Sequence, residues 1–134
     1  MAVKRLTKAD DPRTMGAFKP VGHVVVAMPD DASAAAAVRA LHDVGFDDGD
    51  ILQYTAAEED DAMDRMLQHS SDFAGFGYEI SLMRRYQQLA RNGASWLIVF
   101  APDDDHTARV GDVVRRHGAL LAEKYHRLAI EDLI

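Results

Sequence analysis

The chain has 134 residues, with 15 Lys and Arg against 22 Asp and Glu and a formal charge of −7 at pH 7. That sign repels phosphate backbones and anionic membranes and argues against general nucleic-acid binding. A chain of this size hides roughly two-thirds of its unfolded surface, enough for a core without staples; having no cysteine, it excludes thiolate catalysis, thiol redox switching and Cys-ligated zinc.

The first twenty residues carry Lys4, Arg5 and Lys8, then Asp10, Asp11 and Pro12, without the apolar stretch of a signal peptide. They are read as an arm or strap, 1–20, ahead of a single domain, 21–134. The longest unbroken apolar run, Trp96 to Ala101, falls well short of the ~20 residues of a membrane-spanning helix. The expectation is a cytoplasmic protein that binds neither membrane nor nucleic acid.

Two runs, Val24 to Met28 and Trp96 to Phe100, read as strands. Neither alternates with polar residues, so both faces of each should be buried. Each run leads into the same punctuation, Pro29-Asp30-Asp31 and Pro102-Asp103-Asp104, in which proline ends the strand and aspartate caps a helix. Helical periodicity follows in both, Ala34, Val38, Leu41 and Val44 making one face and Val110, Val113, Val114 and His117 the other, before Gly45 and Gly118. The two stretches superpose without gaps at an offset of 73 residues, with Val26/Val99, Pro29/Pro102, Asp30/Asp103, Asp31/Asp104, Ala35/Ala108 and Gly45/Gly118 identical. A further strand is expected after each glycine, over 50–54 and over 122–130. Two βαβ units in tandem predict an α+β fold, the ferredoxin-like split βαβ sandwich with an antiparallel sheet in the order 4-1-3-2.

Residues 57–93 form an insertion between the second and third strands that reads as a helical hairpin, its helices separated by the breakers Gly75 and Gly77. Both helices carry an apolar stripe, and the sheet has a second face to cover. Either the hairpin or a second subunit covers it.

Topology decides which polar groups can meet. The end of the third strand should lie beside the start of the second, gathering Asp103, Asp104 and His106 with Asp47 and Asp48 as a candidate divalent-cation site, although runs of aspartate at helix starts also serve as caps. Asp30 and Asp31 should approach Glu58, Glu59, Asp60 and Asp61 at the other end. His69-Ser70-Ser71-Asp72 holds the residue types of a hydrolase triad, but neighbours on a helix point about 100° apart and do not face each other. Met63, Met66, Phe73, Tyr78, Met83 and Tyr86 make the hairpin rich in adaptable apolar groups, serving either the core or a pliable groove for a small molecule or partner.

Gly45-Phe46 followed by Asp50-Ile51, and Arg116-His117-Gly118-Ala119 after a strand and helix, resemble the bacterial general stress protein 17M family over about 22–55 and 94–120. The charged helical pair in the middle departs from that family's glycine-rich segment. The resemblance implies a cytoplasmic, stress-linked bacterial protein and carries over no catalytic residue.

The expected function is therefore non-enzymatic binding of a protein partner or small ligand by a homodimer, with the hairpin as the variable surface. No cofactor is expected beyond the candidate cation. The competing expectation is an enzyme of the dimeric α+β barrel kind, in which two open sheet faces enclose a pocket and His23, Tyr125 or His126 supplies acid–base chemistry. Where the hairpin packs discriminates the two.

Overall fold

The computed structural model describes Arg5 and residues 20–68, 77–127 and 129–134, the side chains of 65–68 and 77–80 excepted. The elements are β1 (His23–Met28), α1 (Asp31–Asp43), β2 (Ile51–Tyr54), α2 (Ala56–Gln68), α3 (Gly77–Arg91), β3 (Ser95–Phe100), α4 (Asp104–Arg116), β4 (Leu121–Tyr125) and β5 (Ile130–Asp132). They build an α+β fold around one antiparallel sheet in the order β2-β3-β1-β4-β5.

The four-stranded 4-1-3-2 expectation is corrected by that order. The stretch 122–130 is two strands rather than one, because the chain turns after Tyr125, with the His126 amide donating to the Ala129 carbonyl at 2.8 Å. β5 then adds an edge beside β4.

The repeat is structural. Shifted by 73 positions, α1 falls on α4 end for end. Asp30 caps α1 by accepting from the Ser33 amide at 2.7 Å, and Asp103 caps α4 by accepting from the His106 amide at 2.8 Å. Gly45 and Gly118 follow the two helices at φ of +102° and +83°, conformations that favour glycine. The Phe46 and Ala119 amides then reach back to the Leu41 and Val114 carbonyls, each at 3.0 Å. After this the halves diverge. The first inserts a 3-10 turn, Asp48–Asp50, closed by a reciprocal capping box between Asp47 and Asp50.

Side chains alternate across the sheet. Val24, Val26 and Met28 pack with Leu97, Val99 and Ala122 beneath Leu41 of α1 and Val110, Val113 and Val114 of α4. On the opposite face Val25, Ala27, Trp96, Ile98, Leu121 and Tyr125 pack beneath Ala62 and Met63 of α2 and Leu82, Met83, Tyr86 and Ala90 of α3. The hairpin is thus the second cover, and the sheet is sandwiched between two helical layers. The open face that a dimeric α+β barrel requires is occupied by the chain itself. A capping box between Thr55 and Glu58 starts α2, and Asp60 ties it to α3 by accepting from Arg91 Nε at 2.9 Å and Gln87 Nε2 at 3.2 Å.

Candidate functional site

The covered face decides the first set of sequence candidates. Met63, Met83 and Tyr86 are core residues rather than a surface: Tyr86 is fully buried, stacks at a tilt on Trp96 with ring centroids 5.2 Å apart and shares a 3.0 Å hydroxyl–hydroxyl hydrogen bond with Tyr125. The side chains of Met66 and Tyr78, and the whole of Phe73, lie outside the described residues, as do 69–72.

The two acidic ends also come apart. Asp103, Asp105 and His106 bring potential ligand atoms within 4.8 Å of one another, but their contacts are those of a helix start. Asp103 Oδ1 meets His106 Nδ1 at 2.6 Å as well as its amide, and Asp105 accepts from Arg109 at 2.8 Å. These hydrogen bonds, the His106 amide first, hold the Asp103 carboxyl below the usual aspartate range. Asp47, Asp48 and Asp104 do not join that group among the described residues. Asp47 and Asp50 face the Arg5 guanidinium at 3.4 and 3.2 Å, and Asp48 pairs with His42 at 2.8 Å. The expected gathering of Asp30 and Asp31 with Glu58 to Asp61 is likewise absent as a ligand group among the described residues. Glu58 is spent on its capping box, Glu59 is buried, and Asp60 serves α3.

The acid–base candidates separate too. His23 is buried at the start of β1, its Nδ1 3.0 Å from the Val21 carbonyl oxygen and its ring 5.1 Å from that of Phe100. Burial lowers its pKa and favours the neutral ring. His126 is exposed and pairs with Glu131 at 3.0 Å. Tyr125 is committed beneath α3.

A different site emerges where the sheet extends past α4. β5 carries the sheet one strand beyond the helix that covers β4, leaving a groove of about 730 Å³ between them. Along α4 the groove meets Asp104, Thr107, Ala108, Arg109, Gly111, Asp112 and Arg115, with charges of both signs along its length. Glu131 and Leu133 form the opposite wall.

Beneath one end lies Lys124, almost wholly buried. Its ammonium donates to the Ala101 carbonyl and, at 2.7 Å, to the Thr107 hydroxyl, which in turn donates to the Asp103 carbonyl at 2.8 Å. Burial lowers the lysine pKa, while Asp104, Glu131 and Asp103 oppose that shift. Toward the other end, Arg115 reaches the Leu133 carbonyl at 3.5 Å and Asp112 at 3.8 Å. Arg109 braces α4 against the end of α1, donating to the Val44 carbonyl at 2.6 Å with its guanidinium 5.5 Å from the Phe46 ring centroid.

None of Thr107, Gly111, Lys124 or Glu131 was singled out from sequence, although the repeat carried a signal. Thr107 and Gly111 occupy the positions of Ala34 and Val38, and strand pairing sets Lys124 against Val24 as Gln53 is set against Leu97. The halves share a backbone and differ at the side chains of the groove. The chain matches no protein-family model, no curated protein and no solved structure.

Proposed function

We propose that this chain is a non-catalytic binding domain whose ligand site is the groove between α4 and β5. The observation that carries this reading is the departure from internal symmetry: Thr107 replaces the apolar Ala34, Gly111 replaces Val38, and among the described residues β5 has no counterpart beside β2. A concave site of a few hundred cubic ångströms with a few convergent polar groups is the ordinary form of a small-ligand pocket. Of the charges lining it, Arg109, Asp112, Arg115 and Glu131 are paired with neighbouring groups rather than arranged as a nucleophile with its base. In fold terms, β1–α1–β2 and β3–α4–β4 are read as a ferredoxin-like pair of βαβ units extended by β5. The motifs resembling the general stress protein 17M family support a cytoplasmic, stress-linked bacterial role.

The test is a ligand-observed NMR screen of charged small molecules, run on the wild type and on Ala108→Trp. Ala108 is exposed on the groove wall, so the indole fills the site without entering the core. Hits that vanish with Ala108→Trp are expected. Their absence, or hits indifferent to the substitution, overturns the assignment.

A further inference from the structure

We propose that the Asp47–Asp50 turn is a guanidinium-binding site whose resident ligand is Arg5 of the chain's own N-terminal segment, so that an outside arginine side chain binds there only when Arg5 leaves. The turn joins α1 to β2 and belongs to one half of the repeat. The second half passes from Gly118 straight into β4 at Leu121, without such a turn.

The two carboxylates are set in place by the turn itself. Asp47 Oδ1 accepts from the Asp50 amide and Asp50 Oδ2 accepts from the Asp47 amide, each at 3.0 Å. Little rotamer freedom is then left to lose when a cation binds. The Oδ1 atoms of both residues converge on Arg5 Nη1, at 3.4 Å from Asp47 and 3.2 Å from Asp50, while Asp48 between them turns to His42 at 2.8 Å. An exposed ion pair is worth little by itself, so these distances alone would not make a site.

Gly49 supplies the second observation. Its φ is not positive, so the backbone there is open to other residues. Gly93 and Gly118 are the opposite case, with positive φ and nothing within 4 Å of an added Cβ. A Cβ built at Gly49 would lie 2.8 Å from Arg5 Nη1, 2.9 Å from Cζ and 3.0 Å from Nη2, well inside the ~3.5 Å at which nonbonded heavy atoms pack. Three guanidinium atoms at nearly one distance put the plane of the group flat over the glycine. The missing Cβ is therefore the floor of the seat, and close approach of a ligand to the backbone is a use that only glycine serves. A planar guanidinium fits that floor beneath two acceptors, whereas a lysine ammonium has no flat face to lay on it. The Arg5 side chain is 46% exposed, so the seat opens directly to solvent.

The experiment follows the Gly49 and Asp50 amide signals of the isotope-labelled full chain by NMR, with N-acetylarginine amide as probe and N-acetyllysine amide, of equal charge, as control. Arg5→Ala should move both signals, and the arginine probe should return them toward their wild-type positions. That probe should bind Arg5→Ala about tenfold more tightly than the wild type, as expected for a seat that Arg5 fills about nine-tenths of the time. The lysine probe should bind the variant more weakly than the arginine probe does. Gly49→Ala, added to Arg5→Ala, should leave the rest of the spectrum unchanged and abolish the arginine response at Asp50. Signals indifferent to Arg5→Ala, equal responses to the two probes, or a response that survives Gly49→Ala overturns the inference. Wild-type signals that move to the Arg5→Ala positions on dilution would give the seat to Arg5 of a second copy and overturn the intramolecular assignment.

Discussion

Val25 and Ile98 lie directly opposite each other in the β1–β3 pair, and they are also equivalent positions in the 73-residue repeat. A residue can face its own repeat counterpart only on a two-fold axis. The approximate two-fold of the β1–α1 and β3–α4 halves therefore passes through the centre of the sheet, between these side chains. Both pack against the α2–α3 hairpin, so the inserted hairpin lies over the axis, where only one copy fits.

Ile98 at that point is buried among Val25, Trp96 and the hairpin. Ile98→Ala should lower unfolding stability by about 2–5 kcal/mol, the usual range for removing a large aliphatic core side chain and leaving a cavity. Urea denaturation provides the measurement. A loss below about 1 kcal/mol would mean that the hairpin does not close over the axis.

The position of Met83 gives a prediction with two distinguishable outcomes. Were α3 a dimer surface, a charge there would release folded monomers. Because Met83 is buried against the sheet within one chain, Met83→Glu should instead cost at least ~3 kcal/mol by burying an unpaired charge. Native mass spectrometry beside circular dichroism separates the outcomes: loss of structure is expected, and a well-folded protein reduced from dimer to monomer would contradict the packing described.

The legible parts of this fold are those written in local grammar. Pro29-Asp30-Asp31 and Pro102-Asp103-Asp104 mark a strand end and a helix cap without reference to anything distant, and Gly45 and Gly118 mark helix ends in the same way. Where the hairpin settles is a tertiary fact. Tyr86 and Met83 read equally well as core or surface until the sheet beneath them is in place. β5 escaped because Ile130-Glu131-Asp132 is too short and too acidic to stand out as a strand. Lys124 and Glu123 carry charges that normally indicate exposure, yet both are buried. The groove depends on β5 and on Lys124 beneath it, and only comparison of the two halves at Ala34 and Thr107, or Val38 and Gly111, would have exposed it.

Lys124 should reveal its burial through pH. Lys124→Met keeps much of the apolar stem but leaves the Ala101 carbonyl and Thr107 hydroxyl without their donor, at an expected cost of about 1–3 kcal/mol. The folded-state pKa lies below the unfolded one, so between those values the unfolded chain binds more protons and stability rises with pH. The wild type should therefore widen its advantage over Lys124→Met from neutral pH toward the ordinary lysine value of about 10.4. Chemical denaturation at several pH values measures that difference, and a constant gap would deny the shift.

Glu123 provides a test of opposite slope. It sits on β4 opposite Val25 and beside Asp132 of β5, buried, with Oε2 making no hydrogen bond among the described residues. Burial and then the Asp132 charge raise its pKa, against a smaller opposing pull from Arg85. A carboxyl with a raised folded pKa binds more protons in the folded chain, so its contribution is greatest below the unfolded value of about 4.3 and is lost as pH rises through the folded value. Glu123→Gln abolishes that loss, since the amide remains neutral throughout. The variant should thus gain on the wild type as pH rises from 4 to 7 and be the more stable protein at neutral pH. Denaturation midpoints at both pH values measure the effect, and a variant that loses ground toward neutral pH would show that the ionised carboxylate has a stabilising partner.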